Sequence, residues 1–482
     1  MVEVNLTNTL TRKKEKFVSV GKSEVRIYSC GPTVYRDIHI GNLRTYLSAD
    51  ILKRVLIYNG YKVRHIKNIT DVGHMRTDGA SQTQIDPVIA EALKQGKTPQ
   101  EIAEGYTKQF FDDEKRLNIL PADTFPKATE YIKEMVEITK ALLEKGFAYE
   151  TEGNIYFDVK KFTNYGRLSG NTVEKMAKLL EAVRVSSETD KKDSADFALW
   201  KKAEAGRTMK WASPWGEGFP GWHIECSAMS LKLLGEAFED DRLISERART
   251  IDIHTGGEDN IFPHHEDEIA QSESATGKKF VNFWLHGGFL LVEGKKMARR
   301  EGNVYTVETL SQKDFNPLSF RYLCLTAHYR SRLNFTRASL ESAENALNNL
   351  YREVTGYALE SESKVGGAQY EDRFLEAINN DMDMPKALEV VWELVKSDNT
   401  ASAKLESLYK FDAVLGLGLE KVAKEASKVP SGVTRLMEER EGVRKAGDFE
   451  KADQIRGQIE KAGYEVVDTK EGPKLKKLID SR

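Results

Sequence analysis

Cys30, the tetrapeptide His39-Ile40-Gly41-Asn42, the run Gly221-Trp222-His223-Ile224-Glu225-Cys226 and the pair His264/Glu268 are the residues of this chain whose types and spacing suit chemistry. His264 and Glu268 are i, i+4 neighbours, so a helix beginning at Pro263 would project both from one face toward a single ion. With Cys30 and Cys226 they make two thiolates, one imidazole and one carboxylate, a donor set suited to Zn²⁺. The tetrapeptide points to a nucleotide. It follows a strand pattern and opens a helix pattern, where free backbone N–H groups and the helix dipole favour phosphate. His39 and Asn42 would donate hydrogen bonds to a phosphorus transition state, and Gly41 would let a nucleotide lie close to the backbone. Further on, Gly294 to Asn303 is a cationic run holding Lys295, Lys296, Arg299 and Arg300 between glycines, suited to meeting a leaving pyrophosphate. Taken singly, these features have plainer readings: an incidental loop histidine, a basic surface loop, two buried cysteines with an unrelated His/Glu pair, and Trp222 as a core aromatic. Together they describe a metal site beside a nucleotide site.

The elements that must position these residues are legible in outline. Val25 and Ile27 alternate with polar neighbours in a strand pattern over Glu24 to Ser29. Leu43, Leu47, Ile51, Leu52, Val55 and Leu56 then recur at helical spacing until Asn59-Gly60. Val63, His65 and Ile69 suggest the next strand. A β-loop-α-β start favours a parallel sheet with the loop at its carboxyl edge. A helix pattern covers Thr129 to Lys145, Asn154 to Phe157 reads as a hairpin strand, and Ser186 to Ala195 reads as a polar loop. Ile251 to His254 and Phe280 to Leu285 are strand-like. Candidate metal ligands on both sides of 120–214 make that segment an insertion splitting one nucleotide domain into 1–119 and 215–316. Helical periodicity dominates 317–429, in Leu340 to Leu350 and Phe374 to Val395, with Met384-Pro385 marking a helix start. A break at Pro430-Ser431-Gly432 sets off a last unit, 430–482.

Composition bounds the rest. The 482 residues exceed one compact core and suggest about three domains. The fractions of hydrophobic (40%) and charged (30%) residues are those of an ordinary globular protein, without an apolar run long enough for a membrane helix. The first residues lack the apolar core of a secretory signal, and three cysteines make no disulfide framework, so a reducing cytoplasm is expected. Cys324, within an apolar run, reads as core. The net charge of −3 does not advertise a nucleic-acid binder, yet residues 421–482 carry 15 Lys/Arg against 12 Asp/Glu, which allows polyanion contact as well as a plain solvated surface.

At this point the residues become recognisable. The chain resembles the cysteinyl-tRNA synthetases, class I aminoacyl-tRNA synthetases, along practically its whole length. The likeness is carried by CGPTVY with HIGN, KNITDVGH at Lys67 to His74, FPGWHIECSAM at Phe219 to Met229, DIHTGGEDNIFPHHEDEIAQSE at Asp252 to Glu273, KMARREGN, and the pattern from Glu439 to Arg456. GWHIECSAM and PHHEDEIAQSE are very specific; HIGN and KMARR are class-wide. The resemblance implies an α/β fold: a Rossmann-type parallel-sheet catalytic domain split by a connective insertion, then a helical bundle and a small anticodon-binding domain. It places Cys30, Cys226, His264 and Glu268 at the family's zinc positions, one Zn²⁺ per chain, with Cys30 also beside the substrate. His39 to Asn42 takes the HIGH motif and Lys296 to Arg300 the KMSKS motif. His39, Gly41, Asn42, Asp259, Lys296 and Arg299 would meet Mg²⁺-ATP, Asp259 at the ribose. His39, Asn42, Lys296 and Arg299 would serve catalysis, and Trp222 would be the mobile aromatic beside the substrate. The implied partners are tRNA(Cys), L-cysteine and ATP, with no membrane and a monomeric chain. Two departures stand out. Asn42 replaces the second histidine of HIGH, and an amide still donates to phosphate; KMARR keeps Lys296 but exchanges the second lysine for Arg299, which keeps charge and not geometry. The other readings are the related ligase of mycothiol biosynthesis, disfavoured by the C-terminal unit, and a non-catalytic paralogue, disfavoured by retention of all four metal positions.

Overall fold

The computed structural model describes residues 3–21, 24–73, 76–77, 84–171, 175, 190–297, 302–358, 367–426, 430–469 and 472–478. At its centre four strands, β1 (Val25–Ser29), β2 (Val63–Lys67), β3 (Ile251–Gly257) and β4 (Val281–Gly287), lie in the order β4-β3-β1-β2 and are all parallel. Ile253 pairs with Ile27 on one side and Phe283 on the other, so strands more than 180 residues apart in sequence share one register. Parallel strands covered on both faces carry apolar residues on both. Accordingly Ile27 joins a core containing Leu43, Leu47, Phe283 and Leu285, while its neighbour Tyr28 joins another containing Ile66, Ile224, Ile269 and Trp284.

The first face is covered by α1 (Ile40–Tyr58), whose buried stripe of Leu43, Leu47, Ile51, Leu52, Val55 and Leu56 follows the helical spacing read from the sequence. Helices Arg337–Ala358, Ala368–Asn379, Met384–Lys396 and Ala401–Leu415 extend that core through Leu347, Phe374, Val391 and Phe411. The second face is covered by α2 (Trp222–Leu233) and α3 (Glu266–Thr276), which carry the downstream motifs. Between the sheet's two halves a five-stranded antiparallel sheet runs from Ala148 to Pro220, its last strand leading directly into α2. The C-terminal unit is a helix pair, Ser431–Lys445 and Phe449–Lys461, with a hairpin, Tyr464–Thr469 and Gly472–Lys477, around Val433, Ile455, Ile459 and Tyr464. Among the described residues no helix is long and apolar enough to cross a membrane.

Local departures from the sequence reading have physical causes. Pro263 does not start an α-helix: Phe262 is extended inside a wide turn over Ile261–His265, and the regular helix starts at Glu266. The stretch Phe374 to Val395 is two helices, the second starting at Met384 as Met384-Pro385 predicts, and they are parted at Asp381 and Met382, both with positive φ (60° and 54°) although neither is glycine. The Asp381 carboxylate offsets that strain by accepting hydrogen bonds from the Thr7 backbone and hydroxyl (2.7 and 2.6 Å), the Tyr329 hydroxyl (2.9 Å) and Arg330 (3.1 Å). Of the expected polar loop, residues 186–189 lie outside the described residues.

Candidate active site

The strands point their carboxyl ends at a cleft of about 310 Å³. His39, Gly41, Asn42, Asp259 and Lys296 line it with Trp222 and Cys30. His39 caps α1 with extended backbone, and its Nδ1 accepts the Asn42 backbone N–H at 3.2 Å. In a neutral ring that bond leaves the hydrogen on Nε2, so His39 offers a donor from its far nitrogen. The capping geometry also explains Gly41: a Cβ there would come within 2.9 Å of His39 Nδ1. No acidic residue occupies the first turn of α1, so the positive end of the helix dipole is left for an incoming anion. Lys296 is exposed at the cleft mouth, its Nζ 4.5 Å from the Phe289 ring centre. Arg299, with Ala298 and Arg300, lies outside the described residues.

Cys30 stands one residue past β1, where its N–H donates to the Thr255 carbonyl of β3 (3.2 Å). The next residue must be glycine. Gly31 donates its N–H to Asn68 Oδ1 (2.8 Å), and a Cβ on it would lie 1.7 Å from the Asn68 carbonyl oxygen. Cys226 on α2, His264 in the wide turn and Glu268 on α3 converge on Cys30, the four donor atoms all within 4.8 Å of one another. Sγ of Cys30 is 3.9 Å from Sγ of Cys226 and 3.8 Å from Glu268 Oε1, and His264 Nε2 is 3.1 Å from the same Oε1. A second set, Cys30, His254, His265 and Glu268, meets the same distance condition and shares two members with the first.

The four side chains are buried, and their electrostatics are those of a place built for positive charge. Burial alone would raise the Glu268 carboxyl, yet His254 and His264 hold it down at about 2. Burial would lower His264, but Cys226 and Glu268 push it up to about 10. Burial drives the Cys30 thiol well up, and Cys226 and Glu268 add to it; Cys226 is lowered by the hydrogen bond from Cys30. Two sulfurs and a carboxylate around one buried space repel once ionised, and without another cation the proton on His264 is what balances them. A divalent ion does so better, and this S₂NO donor set fits zinc.

Around His264 lies a bed of four further histidines that the sequence reading did not single out as ligands. Five of the nine in the chain, His223, His254, His264, His265 and His286, are buried together. His254 stacks on Trp284 at 4.6 Å and its Nε2 is 3.1 Å from Glu268 Oε2. His265 Nε2 faces Cys30 Sγ (3.2 Å), its Nδ1 meets His286 Nε2 (2.7 Å), and His286 Nδ1 meets the Thr9 hydroxyl (2.8 Å). Burial holds His265 well below the usual imidazole range and His286 at about 3, each helped by His254. His223 Nδ1 meets His264 Nδ1 at 2.8 Å. The Trp222 ring lies 4.6 Å from the His264 ring, and Trp222 lines the cleft together with Cys30. The histidines of GWHIEC and PHHEDE were visible beside the chosen ligands; His254 and His286 gave only the signal of polar residues inside strands buried on both faces.

Residues 16–345 match the family model of the tRNA synthetases class I (C) catalytic domain. Among curated relatives, the cysteine–tRNA ligase of Chlorobium chlorochromatii is 40% identical, with 96% of this chain and 97% of that protein covered. That of Thermus thermophilus is 42% identical over 97% and 98% of the two chains. Among solved structures, a Mycobacterium tuberculosis methionyl-tRNA synthetase in complex with methionyl-adenylate superposes with a TM-score of 0.55, covering 84% of this chain and 93% of that one. At 16% identity it shows the shared fold alone.

Proposed function

Since the chain belongs to the class I tRNA synthetases of the cysteine type, we propose that it ligates L-cysteine to tRNA(Cys) with ATP, by way of a cysteinyl-adenylate. The observation that carries this reading is a single cleft with a helix-capping His39 and an open helix N-terminus at one end and a thiol-rich cation site at the other. In the first step the cysteine carboxylate attacks the α-phosphate of Mg²⁺-ATP and pyrophosphate leaves; in the second the terminal ribose of tRNA attacks the adenylate. His39 Nε2–H and the Asn42 amide donate to the phosphate as charge builds, Lys296 and Arg299 neutralise the leaving pyrophosphate, and Asp259 holds the ribose. Trp222 walls the amino-acid end and excludes water.

Cys30, Cys226, His264 and Glu268 are the residues that would hold zinc. They are preferred over the set with His254 and His265 because Cys226 adds a second thiolate and His264 lies under Trp222 at the cleft, whereas His254 is stacked away beneath Trp284. Zinc, when bound, supplies a soft Lewis-acidic position that favours a thiolate over a hydroxyl. The need for it is quantitative. Telling cysteine from serine by pocket shape is worth about 1 to 3 kcal/mol, so metal selection takes the place of editing. The helical bundle and the basic C-terminal unit would bind the stem and anticodon of tRNA, and the enzyme would work as a cytoplasmic monomer. The test is transfer of labelled cysteine to bulk tRNA by the zinc-loaded protein with Mg²⁺-ATP, with serine as control. Charging by cysteine and not serine is expected; no charging from a folded, metal-loaded protein would sink the proposal.

A further inference from the structure

We propose that Asp267 is a positioning residue for the metal site, acting through His223 to fix which nitrogen of His264 is free to bind the ion. The inference rests on the reading of His264 as a metal ligand and goes beyond it to residues that touch neither metal nor substrate. Four buried side chains lie in sequence: Asp267 Oδ2 is 3.2 Å from His223 Nε2, His223 Nδ1 is 2.8 Å from His264 Nδ1, and His264 Nε2 is 3.1 Å from Glu268 Oε1. Asp267 comes from the first turn of α3, His223 from the first turn of α2, and His264 from the wide turn between β3 and α3. The aspartate is itself held from the insertion, where the Tyr165 hydroxyl donates to its other oxygen, Oδ1.

Among the described contacts, one arrangement of protons suits every member. A carboxylate accepts and does not donate, so the His223 nitrogen beside it, Nε2, carries the hydrogen. A neutral His223 then has its lone pair on Nδ1, and that lone pair takes the Nδ1–H of His264. With its hydrogen on Nδ1, neutral His264 keeps its lone pair on Nε2, the atom among Cys30, Cys226 and Glu268. In the reverse arrangement His223 would donate from Nδ1, place the His264 hydrogen on Nε2 where the ion must bind, and turn a lone pair toward a fully buried carboxylate. The contact between Asp267 and His223 need not be a straight hydrogen bond for this to hold, because the charge alone separates the two tautomers.

The measurement is zinc affinity of the full-length protein, by competition with a chromophoric chelator, for wild type, Asp267→Ala, Asp267→Asn, His264→Ala and the double variant Asp267→Ala/His264→Ala. Removing an outer partner of a ligating histidine is expected to weaken zinc binding about 10- to 100-fold in Asp267→Ala. Asp267→Asn keeps the shape but removes the charge that separates the two tautomers, and is expected to weaken zinc binding in the same direction as Asp267→Ala. The decisive comparison is in the His264→Ala background, where Asp267→Ala should cost less than about twofold, since there is no ring left to orient. A purely structural aspartate would cost the same with or without His264, and that result overturns the proposal. So does wild-type affinity in Asp267→Ala alongside a loss in His264→Ala, which leaves the ligand reading standing. Unchanged affinity in His264→Ala itself would remove the ligand reading and the relay with it. If Asp267→Ala does not fold, His223→Phe cuts the relay at its middle and carries the same comparison.

Discussion

Lowering the pH of the metal-free protein should destabilise it through His286, by an amount the structure allows to be worked out. His286 is buried between His265 and Thr9, and burial, with His254 second, holds its proton affinity at about 3, against 6.5 for a free imidazole. The folded value is depressed, so the unfolded chain takes up the proton first as pH falls. No penalty exists above 6.5; it grows as pH drops through 6.5 and levels off near 3. At pH 5 the unfolded histidine is about 1.5 pH units past its midpoint while the folded one is still neutral, which costs about 2 kcal/mol. Other histidines add to the total, so the clean measurement is a difference. Urea unfolding of wild type and His286→Gln is followed at pH 7 and pH 5. Glutamine still offers a donor and an acceptor to Thr9 and His265 but does not titrate. Whatever the substitution costs at pH 7, that cost should shrink by about 2 kcal/mol at pH 5. The same cost at both pH values would mean that His286 does not remain neutral in the fold, and the reasoning about the histidine bed would fail with it.

Two further outcomes are expected. Lys296→Ala and Arg299→Ala should each slow pyrophosphate exchange by about 10²- to 10³-fold with little change in zinc content, if both cations meet the leaving group; an unchanged rate removes the residue concerned from the mechanism. Cys226→Ser should lose zinc to a chelator that leaves wild type loaded, and should weaken cysteine binding. Retention of one zinc per chain would move the assignment to the set containing His254 and His265.

How far the site was legible depended on whether its signal was local. Cys226 lies within a short run of distinctive residues, and His264 and Glu268 keep the i, i+4 spacing that puts them on one face, even though a wide turn and not a Pro263-led helix carries His264. The stripe of α1 and its Asn59-Gly60 stop were equally plain, because Leu43, Leu47, Ile51, Leu52, Val55 and Leu56 keep helical spacing although the helix is buried along most of its length. His254 and His286 were not, because β3 and β4 are buried on both faces and show no alternation that marks a polar residue as turned toward a site. Only the parallel register, with Gly256 opposite His286, brings the second histidine beside the first strand's end. Thr9 was hidden in a polar, charged leader whose hairpin, Asn5–Asn8 with Lys13–Lys16, packs along β4. The helix start at Met384-Pro385 was marked, but the left-handed turn before it at Asp381 was not, since no glycine marks it and its partners lie more than 50 residues away.

The same contrast separates the two ends of the cleft. The end proposed to hold the nucleotide is assembled from one loop and one helix start: His39 caps, Gly41 makes room, and the dipole of α1 is oriented by the sheet beneath it, so a short motif suffices to specify it. The end proposed to hold the metal is not local. It takes Cys30 from the end of β1, Cys226 from α2, His264 from the turn after β3 and Glu268 from α3, all referred to one sheet. Distances of 3 to 4 Å between such residues hold only while the parallel register and the packing of α2 on α3 hold. On the proposed reading, discrimination between a thiol and a hydroxyl is tied to the rigidity of the whole catalytic core, and changes beneath the histidine bed should alter selectivity before they alter ATP binding.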